Sequence, residues 1–136
     1  MTLQNLNMMT DDVPLKLYAT RLYERINESV ILKCADVSVG DWTPIENDCH
    51  GNATNFCEHQ KDYKPARGWL YFDYGGLTDR VQFLAHSAIQ APDGTLYDIT
   101  PSSASQQYPF IMAEESEEDY ARLVEGEGIN SISYLK

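Results

Sequence analysis

Three cysteines and three histidines carry the thiol and imidazole chemistry available to this chain. A thiol attacks as a thiolate, and its pKa falls at a helix N-terminus or beside an imidazole. Of the three, Cys49 stands where a helix starts. Asn47 and Asp48 before it are both good N-cap residues. A helix from about Cys49 to His59 follows, weakened by Gly51. Cys34 falls in a stretch that reads as strand. Cys57 lies two turns further along the helix that Cys49 opens, where the dipole no longer helps. Position therefore ranks Cys49 first as a nucleophile. A cysteine nucleophile also needs a base, most often a histidine oriented by a third group.

The sequence offers that pair on a hairpin. Ala91-Pro92-Asp93-Gly94 has Pro at the position that suits the first corner of a type I turn and Gly at the left-handed position after it. This is the pattern of a three-residue hairpin loop with a bulge. Ala91 then pairs with Thr95 and Ala88 with Asp98. His86 is two residues from Ala88 and shares its face, so His86 and Asp98 become diagonal neighbours at roughly 7–8 Å between backbones. A register slip of one residue would put them on opposite faces. Plainer readings stand beside this one. A histidine on an apolar strand is often a satisfied core residue, and Asp98 before Thr-Pro can bond its own backbone as a turn former.

The elements that must position these residues follow from periodicity. Residues 1–12 form a flexible lead-in, with Asp12 as a cap and Pro14 just inside a helix over residues 13–27, where Leu15, Tyr18, Leu22 and Ile26 recur at helical spacing. Val30–Val39 alternates loosely as a strand. Arg67–Tyr74 is a strand with Trp69, Tyr71 and Asp73 on one face and Leu70 and Phe72 on the other, ended by Gly75-Gly76. Val81–Gln90 and Thr95–Thr100 form the hairpin, and residues 101–107 a Ser- and Gln-rich loop. Ser116-Glu-Glu-Asp119 opens a helix that Gly126 stops, and Ile129–Leu135 is a terminal strand. The acidic run from Glu114 to Asp119 suits a first helical turn. No linker divides residues 13–136, which read as one domain.

At this point the motifs resemble a known group. Asp48-Cys49-His50-Gly51-Asn52, Gly68-Trp69, Ala85-His86-Ser87-Ala88 and Asp93-Gly94-Thr95-Leu96-Tyr97-Asp98-Ile99-Thr100-Pro101 occur in that order. The order resembles the papain-like superfamily in its compact form, as in NlpC/P60 and transglutaminase-like cores. It is also similar to small uncharacterised bacterial and phage proteins. The resemblance spans about residues 47–101. It implies Cys49 as nucleophile, His86 as general base and Asp98 as orienting acid, with backbone N–H groups around Cys49 as oxyanion donors. Asn52, one turn along the helix on the face of Cys49, shapes the site or caps a strand.

Composition sets further bounds. The chain has 136 residues, enough for a real core, with 43% hydrophobic and 11% aromatic residues arguing against disorder. A formal charge of −11 disfavours nucleic-acid backbones and anionic lipid and leaves solubility or a basic protein partner. No stretch approaches the roughly 18 apolar residues of a membrane span. Met1–Asp12 lacks the pattern of a secretion signal, and an odd cysteine count argues for reduced thiols, so a cytoplasmic location is expected. Cys49, His50, Cys57 and His59 offer metal-ligand chemistry, but a helix spreads Cys49 and Cys57 about 12 Å apart along its axis, so no metal or other cofactor is expected. Trp42 can line a substrate groove, and Trp69 and Tyr71 belong to core or pocket wall.

The expected fold is α+β, an antiparallel sheet packed against an N-terminal helix that bears the nucleophile, in the papain-like manner. The expected activity is a thiol hydrolase or acyltransferase on an amide bond of a peptide, isopeptide or glutamine side chain. Asn52, Trp42 and Trp69 are the candidate substrate contacts. The alternative is an acidic binding or inhibitor protein with a weak or inactive site.

Overall fold

The computed structural model describes residues 13–75 and 78–136. The lead-in, the cap expected at Asp12 and the second glycine of the Gly75-Gly76 pair lie outside them. In chain order the elements are α1 (Val13–Glu24), a 3-10 turn (Ile26–Glu28), β1 (Lys33–Cys34), α2 (Cys49–His59), β2 (Lys64–Asp73) and β3 (Arg80–Gln90). Then come β4 (Leu96–Asp98), a 3-10 turn (Ala104–Gln106), β5 (Phe110–Met112), α3 (Glu117–Ala121), a π-helical turn (Arg122–Gly126) and β6 (Ser131–Leu135). The architecture is mixed α+β, with helices against one six-stranded sheet. Among the described residues, no helix is long and apolar enough to cross a membrane.

β3 organises the sheet. It pairs antiparallel with β2 along its length, from Lys64↔Gln90 to Asp73↔Val81. β5 adds to the far edge of β2. The other edge of β3 is shared. β4 pairs with its end at Ile89 and Gln90, and β6 pairs with Arg80–Leu84. Between those two ladders, residues 86 and 87 of β3 have no strand partner on that edge among the described residues. The sheet is antiparallel except for β1, which runs parallel to β4.

The hairpin has the turn that its sequence dictates. Gly94 N–H donates to Ala91 O at 2.9 Å, Ala91 N–H to Thr95 O at 2.9 Å, and Gly94 has φ +90°. The observed pairs Ile89↔Tyr97 and Gln90↔Leu96 extend to Ala88 opposite Asp98, the register expected from the turn. The stretch read as a strand over Val30–Val39 is different. Only Lys33–Cys34 is strand, and Val30 and Val39 make isolated bridges to Phe110 and Trp42. The alternation there serves packing rather than a ladder: Ala35, Val37 and Val39 lie against the cluster of Ala53, Phe56 and Ile89 under α2. β5, in the segment after the Ser-rich loop, had no counterpart in the sequence reading, since three residues are too few to show a period.

Each face of the sheet has its own core. Odd-numbered residues of β3, Val81, Phe83 and Ala85, join Trp69 and Ile111 under Ala19 and Leu22 of α1 and Tyr120 of α3. Trp69 Nε1–H donates to Tyr18 Oη at 2.8 Å, so the buried indole is satisfied as it ties β2 to α1. On the opposite face Leu70, Ala88 and Phe110 pack with Leu32 and Ala66, and the ring of Phe72 stacks on Tyr108 with centroids 3.9 Å apart.

Gly68 lies where β2 meets β5 most closely. A Cβ at this position would overlap the carbonyl oxygen of Ile111 and sit 2.7 Å from Cζ of Phe110. Since the first obstacle is backbone, relief requires the strands to separate. Gly68→Ala is expected to destabilise the fold by about 1–3 kcal/mol. A urea unfolding midpoint equal to that of the parent chain would contradict this.

Candidate active site

Asp48 caps α2, its carboxylate accepting from Gly51 N–H at 3.3 Å. Gly51, which weakens a helix on propensity, is what lets the cap approach: a Cβ there would lie 2.5 Å from Asp48 Oδ2. The helix accordingly has the bounds read from sequence, Cys49–His59. Asn47 before it takes φ 63°, a left-handed conformation that Asn tolerates. This tight turn delivers Cys49 as the first helical residue. The N–H groups of Cys49 and His50 then have no intrahelical acceptor and point out of the positive end of the helix.

The first turn of α2 meets β3 at its unpaired stretch. His86 and Asp98 come together as the hairpin register requires, with His86 Nε2 3.1 Å from Asp98 Oδ2. Both are buried, at 5% and 1% exposure. Asp98 is held from several sides. Thr100 N–H donates to Oδ1 at 3.0 Å, and Ser105 Oγ–H donates to Oδ2. The turn-former reading of Asp98 and the orienting-acid reading thus describe its two oxygens. Burial works against the Asp98 anion, but the neighbouring His86 ring and the Ser105 hydroxyl outweigh it and bring its pKa to about 2. Phe110 packs edge-on against the His86 ring with centroids 6.2 Å apart.

Cys49 couples to two imidazoles. Burial alone would push its thiol up. The interactions with His50 and His86 reverse that and lower it to about 6. Burial likewise opposes charge on His86, yet Asp98 and Cys49 raise it to about 9. Both shifts favour the thiolate on Cys49 and the protonated ring on His86. With Nε2 of His86 on Asp98, Nδ1 is left to exchange a proton with the thiol.

His50 is the residue that sequence reasoning weighed only as a metal ligand. Its Nδ1 lies 2.6 Å from Ser87 Oγ, and its ring packs edge-on to Tyr120 at 6.1 Å. Arg67 braces the arrangement, donating from Nη1 to Ser87 Oγ at 2.9 Å and His50 O at 3.2 Å, from Nη2 to Thr54 Oγ1 at 2.9 Å, and from Nε to Glu117 at 3.0 Å. The signal was present as the dipeptides Cys49-His50 and His86-Ser87, but nothing local ties them together.

The candidate substrate contacts are placed differently from the expectation. Asn52 is fully buried: it accepts from Ile45 N–H at 2.9 Å and donates to Ile45 O at 2.8 Å and Thr100 Oγ1 at 3.0 Å. It fastens the loop before Cys49 to the loop after Asp98 and has no surface for a ligand. Trp69 has 0% exposure and lies in the core under α1, on the sheet face opposite His86. Trp42 packs beside Phe56 under α2. An open cavity of about 310 Å³ beside Cys49 and His86 is lined instead by Asn47, by Leu70 and Leu84 of the sheet, and by the loop from Thr100 to Ala104. All three cysteines are free thiols, and among the described residues no three His, Cys, Asp or Glu side chains gather in a way that could hold a metal ion.

The three thiols are expected to separate on a pH scale. Cys49 should alkylate with iodoacetamide at a rate that rises with its midpoint near about pH 6. Cys57, pushed up to about 11 by burial, stays unreactive through neutral pH, and burial and Asp98 also raise Cys34. His50→Ala and His86→Ala should each move the Cys49 rise upward. Peptide mass spectrometry reads all three sites, and a common rise near the ordinary thiol value of about 8.5 would remove the thiolate. Comparison with protein-family models, with curated proteins and with solved structures returns no match for this chain.

Proposed function

We propose that the protein is a thiol hydrolase or acyltransferase that acts on an amide bond of a peptide or protein through Cys49, His86 and Asp98, on a scaffold of papain-like organisation. One observation carries the reading: a cysteine at a helix N-terminus and a histidine whose Nε2 is 3.1 Å from a buried aspartate line one open cavity. Each part answers a separate chemical need. The helix end and the imidazoles favour the thiolate, Asp98 orients the ring, and the cavity admits a substrate.

In the proposed reaction the Cys49 thiolate attacks the amide carbonyl carbon. Charge moves to the carbonyl oxygen, where the N–H groups of Cys49 and His50 receive it. His86 gives its Nδ1 proton to the departing nitrogen as the C–N bond breaks, leaving a thioester on Cys49. Water, or an amine in a transfer reaction, then attacks the thioester. His86 takes the proton of that nucleophile, and the C–S bond breaks to return the thiolate. Asp98 remains ionised throughout.

A second reading, an acidic protein that works by binding a basic partner, is favoured by the charge of −11. Cys49→Ala separates the two, because it ends acyl transfer and leaves charge-driven binding intact.

The expected kcat/KM profile is a bell. It rises through about pH 6 as Cys49 ionises and falls through about pH 9 as His86 loses its proton. Asp98→Asn removes the charge that raises His86, so the alkaline limb should move down, with kcat falling by about a hundredfold or more. Activity-based probes followed by intact-mass analysis give the first test. If no acyl adduct forms on Cys49 with any activated amide or ester, the reading is wrong.

A further inference from the structure

We propose that the cavity beside Cys49 is an acyl-binding site that takes a short, uncharged, apolar acyl group. This rests on the acyl-transfer reading above and names the substrate class it serves. Three features of the cavity carry it.

The first is what its polar residues are doing. Ser103 Oγ accepts from Ser105 N–H at 3.1 Å. Thr100 Oγ1 accepts from Asn52 Nδ2 at 3.0 Å. These two hydroxyls hold the loop; Asn47 and Ser102 add polar atoms to the lining, and Leu70, Leu84, Ala85, Pro101 and Ala104 make up its apolar part.

The second is charge. Among the described residues, Cys49 and His86 are the only titratable ones that line the cavity. Once the thioester forms, the thiolate charge is gone, His86 has given up its proton, and the Asp98 anion, which does not line the cavity, stays bound to its own donors. No group then remains to pair a carboxylate or an ammonium on the acyl chain. A charge taken out of water without a partner is strongly disfavoured.

The third is size. The volume of about 310 Å³ stands at the small end of ligand sites, which run from roughly 300 to 1,000 Å³. It suits one short side chain or acyl tail rather than an extended one.

The test compares three p-nitrophenyl esters on the full chain that share a three-carbon chain beyond the acyl carbonyl: butyrate, the monoester of glutarate with a carboxylate at the chain end, and γ-aminobutyrate with an ammonium there. In each the Cys49 sulfur bonds to the carbonyl carbon, the C–O bond breaks and p-nitrophenolate leaves. Phenolate release gives the rate, intact mass the adduct, and Cys49→Ala the background. Butyryl transfer is expected to exceed both charged esters by about tenfold or more, which corresponds to about 1.4 kcal/mol. Leu84→Lys places a cation in the lining and is expected to raise the glutarate rate relative to butyrate. Equal rates for the three esters on Cys49 of the parent chain would overturn the acyl-site assignment while leaving the thiol mechanism standing. No adduct from any ester, together with an ordinary thiol pH profile at Cys49, would overturn the mechanism itself.

Discussion

The site depends on keeping one carboxylate ionised where water does not reach it. Asp98 is 1% exposed, and an isolated anion there would take up a proton rather than persist. It persists because donors from three places converge on it: the ring of His86, the backbone of Thr100, and the hydroxyl of Ser105. Each bond that satisfies the anion also fixes a neighbour. His86 is held in one ring orientation, and the loop after β4 is bent into the wall of the cavity. The orienting acid and the substrate wall are thus parts of one hydrogen-bonded unit.

The sheet supplies the opening that this unit faces. β3 is paired along one edge by β2, yet on the other edge β4 and β6 each take only an end of it. The stretch left between them is where the first turn of α2 comes in, with His50 against Ser87 and Cys49 coupled to His86. A strand continuous along that edge would leave no place for a helix terminus at the level of His86. Short strands at this position therefore reflect the need to seat a helix end.

Much of this was legible in the residues because it is local. The turn chemistry of Pro92-Asp93-Gly94 fixes the register, and the register fixes which residues share a face, so His86 and Asp98 could be paired from a dozen residues of text. Asp48 and Cys49 marked a helix start by the same kind of short-range rule. The failures are long-range. Trp69 was a candidate contact because aromatic strand residues line pockets as well as cores, and only the packing of α1 decides between them. Asn52 was placed on the right face of α2, but its partners, Ile45 and Thr100, belong to different loops. The role of His50 needed Ser87 and Arg67, one on β3 and one on β2, which no spacing along the chain announces.

The hairpin loop, residues 91–94, is exposed in part and looks like the kind of surface turn in which homologous proteins gain and lose residues freely. Its length is nonetheless tied to the site. One added residue, unless absorbed as a bulge, turns Asp98 to the other face of the sheet. Two restore the face but move the carboxylate by a two-residue step, about 6.8 Å along the strand. Insertions and deletions at this turn are therefore constrained as tightly as substitutions in a core, although nothing buries the turn itself.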